Sequence, residues 1–255
     1  MDKLLEISNV NLTYQSRDSE TVAINDLNLI VESKDFISIV GPSGCGKTTI
    51  LSLIAGLLSP THGTIRLNGN IVTKPTTSIA YMFQRDNLFE WLTIKKNAEL
   101  SLDIQRKKTK ENIMYTNSLL DKYGLKDFKN HYPQQLSGGM RQRASLIRTL
   151  ASSPSLLLLD EPFSALDYQT RLNVQDDIHS IIKREEKTAI LVTHDISEAI
   201  SMSDKIIVLS SRPGKVKKII DLKFDKSLNP FERRQDPEFN TYFSLVWEEL
   251  KDEEK

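Results

Sequence analysis

Eight residues constrain this chain more than any others: Gly41-Pro42-Ser43-Gly44-Cys45-Gly46-Lys47-Thr48 satisfy G-x-x-x-x-G-K-[ST] at every fixed position. Phe36-Ile37-Ser38-Ile39-Val40 before them is a short apolar run of β-forming residues. Ile50, Leu53, Ile54 and Leu57 after them recur at helical spacing. Strand, glycine-rich turn and helix in that order read as a phosphate-binding loop. Backbone N–H groups reach a triphosphate only where no side chain intervenes, which is the use of Gly41, Gly44 and Gly46; Pro42, Ser43 and Cys45 complete the cradle. Lys47 supplies a point charge for the β- and γ-phosphates, Thr48 a hydroxyl for Mg²⁺ and Thr49 a donor to the α-phosphate, and the helix starting near Lys47 adds its positive end. Cys45, beside the phosphates, is expected to be shielded from thiol reagents by bound nucleotide.

Two further stretches end in polar groups at the same kind of position. Ser155-Leu156-Leu157-Leu158-Leu159 is an apolar strand running into Asp160-Glu161-Pro162. A strand this apolar is covered on both faces, and doubly wound sheets bind ligands at the C-terminal ends of such strands. Asp160 is therefore placed to hold hydrated Mg²⁺ and Glu161 to orient or deprotonate a water, with a solvated acidic strand end as the alternative. Thr188-Ala189-Ile190-Leu191-Val192-Thr193 ends at His194, a group for a γ-phosphate if the strand ends share one edge; a lone histidine is otherwise structural. The strand Ser78-Ile79-Ala80-Tyr81-Met82-Phe83 ends at Gln84, whose carbonyl suits a metal or water there.

Between these lies a region of different periodicity. Residues 85–150 read as helices, with Ile113, Leu119, Leu120 and Tyr123 apolar and a stop at Gly124. The basic cluster Arg106-Lys107-Lys108-Thr109-Lys110 reads as a solvated loop in preference to a nucleic-acid or lipid contact. Ser137 is an N-cap for the helix carrying Leu146, Ile147 and Leu150, and Gly138-Gly139 at its start implies that something approaches that backbone closely. Ser164-Ala165-Leu166-Asp167 is a polar turn before a helix with Val174, Ile178, Ile181 and Ile182 on one face.

At the N-terminal end, residues 4–10 and 24–31 alternate as antiparallel strands. Tyr14 follows the first, before the polar stretch 15–20, and its ring suits a nucleotide base as well as a strand edge. Thr64-Ile65-Arg66-Leu67 and Asn68-Gly69 read as a strand and turn closing a second small β unit. Residues 205–209 and 215–220 finish the regular structure, and the charged tail from about Asp225 is expected to pack loosely.

Composition excludes several classes. No run approaches the roughly eighteen apolar residues that span a bilayer, and Met1-Asp2-Lys3 does not open a signal peptide, so a cytoplasmic chain without a membrane domain is expected. Lys plus Arg and Asp plus Glu both number 34, which leaves no global positive field for nucleic acid, and the single cysteine permits no internal disulfide or metal cluster.

Together these residues resemble the ATP-binding subunits of ABC transporters over residues 4–220. Residues 41–48 match that family's Walker A motif, Gln84 its Q-loop, Leu136-Ser137-Gly138-Gly139-Met140 its signature, residues 156–161 its Walker B motif, residues 164–167 its D-loop, His194 its switch histidine and Tyr14 its adenine-stacking aromatic. The resemblance implies an α/β fold: a P-loop NTPase (RecA-like) core with a small antiparallel β subdomain and an inserted α-helical subdomain. The ATP-binding domain would cover 1–220, with core and β subdomain at about 1–84 and 155–220, the helical subdomain at about 85–150 and a charged tail at 221–255. It also implies an Mg²⁺-dependent ATPase in which two copies bind two ATP head to tail, the Walker motifs of one facing Ser137, Gly138 and Gly139 of the other. Glu161 would activate water, His194 hold the γ-phosphate, Gln84 link Mg²⁺ to the helical lobe, and Asp167 couple the two sites.

Within the family, residues 83–93, the signature ending in Met140 and Ser211-Arg212-Pro213-Gly214-Lys215 are similar to the nitrate, sulfonate and taurine importer branch, which includes transporters of vitamin and pyrimidine precursors. Glu90 stands where that branch commonly has proline, in a region expected to touch the permease, and Met140 replaces the general family's glutamine. The implied protein is an importer ATPase at the cytoplasmic face of the membrane, working with a separate permease and an extracytoplasmic binding protein. An exporter or lipoprotein-release ATPase shares every catalytic motif. ATPases acting on nucleic acid or ribosomes usually carry paired cassettes or long coiled-coil insertions, so no nucleic-acid partner is expected, and intact Glu161 and His194 disfavour a purely regulatory nucleotide binder.

Overall fold

A computed structural model describes residues 2–15 and 19–251. Residues 16–18 of the polar stretch after Tyr14, Met1, and the terminal Asp252, Glu253 and Glu254 lie outside the described residues. The chain order is β1 (Lys3–Gln15), β2 (Glu20–Glu32), β3 (Phe36–Val40), α1 (Lys47–Ile54), β4 (His62–Leu67), β5 (Asn70–Ile71) and β6 (Ile79–Met82). Then come α2 (Ile94–Ile104), α3 (Lys110–Lys122), α4 (Gly138–Leu150), β7 (Leu156–Asp160), α5 (Tyr168–Arg184), β8 (Thr188–Val192), α6 (Ile196–Met202), β9 (Lys205–Leu209), β10 (Val216–Asp221), α7 (Pro230–Arg233) and α8 (Glu238–Lys251). None of the described helices is long and apolar enough to cross a membrane.

The continuous apolar runs become the inner strands of a sheet ordered β10-β9-β3-β8-β7-β6, in which all neighbours are parallel except β10 against β9. Successive strand side chains face opposite ways, so each run divides between two cores. Ile37, Ile39, Leu156, Leu158, Ile190 and Val192 pack on α1 and the second sheet. Phe36, Leu157, Leu159, Ala189 and Leu191 pack on the other side with Ile94, Leu119, Leu146 and Ile178 of the helices.

The second sheet is antiparallel, ordered β2-β1-β4-β5. Residues 64–67 do not close a separate β unit as the turn signals suggest; Leu5 opposes Leu67 and Ile7 opposes Ile65, joining β4 to β1. β1 and β2 also outlast their alternation, because a bulge shifts the register between Ile7 and Val10. Asn9 and Asp26 adopt φ of 49° and 48° there, and the Asn9 amide nitrogens donate to Asn28 Oδ1 at 2.8 Å and Asp26 Oδ1 at 3.0 Å. The bulge carries β1 onward to Tyr14. α1 in turn stops at Ile54, short of Leu57, because Gly56 turns the chain with φ of 71° and Leu57 faces solvent.

The helical region forms with the cap at Ser137, whose hydroxyl accepts from the Met140 amide at 3.4 Å, and with the expected stop at Gly124, φ 77°. Residues 106–110 are exposed, and Lys108 Nζ meets Asp103 Oδ2 at 3.0 Å and Glu99 Oε2 at 3.2 Å. The described part of the C-terminal tail packs closely, contrary to the loose packing its charge implies. Phe239 and Val246 of α8 join Val40, Ile200 and Val208 in a third core, and Lys218 Nζ meets Glu249 Oε1 at 2.6 Å. Val246 is fully buried, so Val246→Ala should lower the unfolding free energy by about 2 kcal/mol. Glu248→Ala on the exposed face should change it by no more than about 0.5 kcal/mol. Equal urea midpoints for both variants and the parent would mean α8 is not part of the core.

Candidate active site

Parallel pairing brings the C-terminal ends of β3, β7 and β8 to one edge, and the loops that leave them carry the predicted groups. Gly44 and Gly46 adopt φ of 76° and 105° in the loop after β3, and Gly46 caps α1 with no side-chain acceptor for the helix amides. Such a start accepts an anion through its own N–H groups. Lys47 Nζ donates to the carbonyls of Gly41 at 2.8 Å and Pro42 at 2.9 Å, which holds the ammonium over the loop. Tyr14 stands at the same helix start, its hydroxyl 3.4 Å from Thr49 Oγ1, with its ring half exposed. Cys45 belongs to the first core. Its side chain is 1% exposed within the first core, so a thiol reagent would be excluded with or without nucleotide, unlike the shielding expected from sequence.

Thr48 Oγ1 donates to Asp160 Oδ1 at 3.4 Å. Two oxygen donors at the phosphate end of the loop fit a hard cation such as Mg²⁺, which keeps most of its shell as water and phosphate. The other Asp160 oxygen accepts from the Tyr81 hydroxyl at 2.9 Å. Burial raises the Asp160 pKa, and the bonds from Tyr81 and Thr48 and the charge of Lys47 pull it back while Glu161 pushes it up. Tyr81 was not singled out from sequence. The signal was the alternation: Tyr81 opposes Leu158 in the β6–β7 ladder, two places before Asp160 and so on its face.

Glu161 follows in a left-handed conformation, φ 46°, with its amide donating to the Val192 carbonyl at 2.9 Å. This turn sets Glu161 Oε2 3.1 Å from His194 Nδ1. Gln84 meets the site through a serine. Its Nε2 donates to Ser164 Oγ at 3.0 Å, and Ser164 donates to the Glu161 carbonyl at 3.0 Å, so Gln84 touches the carboxylate turn through one serine.

Ser137, Gly138 and Asp167 line a different cleft, with Arg85, Arg141 and Thr170, and none of residues 41–49 reaches it. Asp167 caps α5 by accepting from the Thr170 amide at 3.0 Å, a bond that holds its carboxyl below the usual range. The close approach implied by Gly139 comes from within the chain: a Cβ there would stand 2.8 Å from Val174 Cγ2 on α5. In one chain, then, Gly139 serves helix packing, and the Ser137 group stands apart from the phosphate loop.

The ABC transporter family model matches residues 24–164. An uncharacterized ABC transporter ATP-binding protein, YtlC of Bacillus subtilis (strain 168), is 47% identical over 98% of this chain and 97% of its own length. The nitrate import ATP-binding protein NrtD of Synechocystis sp. is 38% identical over 93% of this chain and 91% of its own. Among solved structures, a dimeric ATP-binding cassette in a post-hydrolysis state with ADP and Pi superposes with a TM-score of 0.71 at 29% identity, covering 87% of this chain and 100% of the cassette.

Tyr81→Phe removes a hydrogen bond that favours ionised Asp160, so its pKa should rise further. A bond to a charged group is worth about 1.5–3 kcal/mol, so the acidic limb of the ATPase pH profile should move up by about one to two units. An unmoved limb in a folded Tyr81→Phe protein would separate Tyr81 from the site.

Proposed function

The chain belongs to the ABC transporter family of ATP-binding proteins and is an ATPase, and from that premise we propose that it energises import of a small anionic or heterocyclic solute, of the nitrate, sulfonate, taurine or vitamin- and pyrimidine-precursor classes, through a separate permease. The observation that carries the chemistry is the meeting of Lys47, Thr48, Asp160, Glu161 and His194 at one sheet edge. Gly41, Pro42, Ser43, Gly44, Cys45 and Gly46 wrap the triphosphate with backbone amides, Lys47 neutralises its β- and γ-oxygens, Thr49 donates to the α-phosphate and Tyr14 stacks on the base. Thr48 and Asp160 hold Mg²⁺, which when bound neutralises charge on the phosphate oxygens. Glu161 takes the proton of the attacking water, and His194 orients that carboxylate and contacts the γ-phosphate.

Ser137 and Gly138 line a cleft that none of residues 41–49 reaches. Their separation supports a head-to-tail pair in which each copy closes the other's site and Asp167, beside the partner's loop, couples the two; the dimeric state of the solved cassette agrees. Gln84, joined to the Glu161 turn through Ser164, carries the state of the nucleotide to the helical region. An exposed apolar groove between β6 and α2, lined by Phe83, Phe89, Leu100 and Ile104 with Trp91 beside it, supports a permease contact in the region of Glu90. The nitrate-import relative supports the direction of transport.

Glu161→Gln should bind ATP as the parent does and hydrolyse it about 10²–10⁴-fold more slowly, the range for a general base. Purified with Mg-ATP from native membranes in mild detergent, it should bring a polytopic membrane protein with it. Full-rate hydrolysis by this variant would remove Glu161 as base, and recovery with ribosomes or nucleic acid in place of a membrane protein would overturn the transport reading.

A further inference from the structure

His194 is largely exposed, and its side chain alone would hold it loosely beside Glu161. The residues flanking it are fixed by a buried polar chain that the catalytic motifs do not include. Thr193 Oγ1 donates to Glu198 Oε2 at 2.5 Å and accepts the Asp195 amide at 3.0 Å. Asp195 Oδ1 then accepts the amides of Ser197 at 2.8 Å and Glu198 at 3.1 Å, closing the loop onto the first turn of α6. The second oxygen of Glu198, a residue 4% exposed, accepts from Gln175 Nε2 at 2.9 Å. Gln175, 1% exposed on α5, accepts in turn from Arg234 Nη2 at 2.6 Å, in the segment after α7.

The direction of every bond in this chain is dictated from one end. A guanidinium only donates, so the Gln175 oxygen must face Arg234 and its amide nitrogen must face Glu198. The free oxygen of Glu198 is left to accept from Thr193. Burial and the charge of Asp195 raise the Glu198 pKa, and the Thr193 bond and the charge of Arg171 act against that.

We propose that Glu198 is a positioning residue for His194: through Thr193 it fixes the backbone from which the histidine reaches Glu161, with Gln175 and Arg234 setting the sense of its hydrogen bonds. The inference rests on the reading of His194 as a contact to the γ-phosphate. It makes the C-terminal segment, 40 residues beyond His194 in sequence, part of the support of the hydrolytic group.

The test is steady-state ATP hydrolysis by the full chain, with thermal unfolding in parallel. In Glu198→Gln the amide keeps its oxygen on Gln175 only by turning its nitrogen to Thr193, whose hydroxyl must then accept where it donated; this reorients the support of His194, so kcat should fall about tenfold or more while KM for ATP stays within about twofold. The double variant Glu198→Gln with Gln175→Glu restores every donor and acceptor and keeps the net charge, and kcat should return to within about threefold of the parent. Thr193→Val should resemble Glu198→Gln and Thr193→Ser the parent, which carries the test if Glu198→Gln does not fold. Parental kcat in folded Thr193→Val or Glu198→Gln overturns the proposal, as does a swapped pair no faster than Glu198→Gln alone. His194→Ala separates the two levels: if it is slow while Thr193→Val is normal, positioning fails and the histidine reading stands, and if it turns over at the parental rate, the histidine reading itself falls.

Discussion

The final rung between β7 and β8, the Glu161 amide on the Val192 carbonyl, is the bond on which the rest of the site depends. Asp160 opposes Val192 in that ladder, so Glu161 must leave the sheet level with Thr193 and His194. A slip of one residue would exchange the faces of the whole strand, sending Leu157 and Leu159 into the core built for Leu156 and Leu158. Leu156 to Leu159 are alike, so what opposes the slip is Asp160, whose carboxylate would take the fully buried place of Leu159. The 3.1 Å pairing of Glu161 with His194 is thus held by the register of the strand before it, which Asp160 at the strand end fixes.

What could be read from sequence was chemistry confined to a few consecutive residues. The phosphate loop, the carboxylates after an apolar strand and the Ser137 cap each declare themselves within a short window, because backbone conformation and hydrogen bonding there depend on near neighbours. The Tyr81–Asp160 bond joins residues 79 positions apart and follows only from strand order, which no local pattern supplies. Gly139 shows a related limit: a close approach was legible, but Val174 as the approaching group was not. The tail hides its packing for another reason. Phe239, Tyr242, Phe243, Val246 and Leu250 carry a helical stripe that its many charges obscure, and Glu249 is spent on Lys217 and Lys218.

The described chain divides the polar groups singled out from its sequence between two places. The loop, the Thr48–Asp160 bond and the Glu161–His194 pair gather at the sheet edge; Ser137, Gly138 and Asp167 line a cleft between the starts of α4 and α5. Gln84 and Ser164 lie between them, bonded to the carboxylate turn by a backbone carbonyl and not by a charged group. A link of that kind transmits displacement of the turn without altering the electrostatics of Glu161.

Among the described residues β6 has a sheet neighbour on one side only, β7, whereas β3, β7 and β8 are each paired on both sides. In mechanical terms the sheet is stiff where Asp160 and Glu161 leave it and compliant at the margin where Gln84 does. A force applied at the aromatic groove beside β6 would strain one ladder of four residue pairs, Ile79 to Met82 against Leu156 to Leu159, before it reached the strands that hold the phosphate end. The fold thereby separates an anvil from a lever within a single sheet.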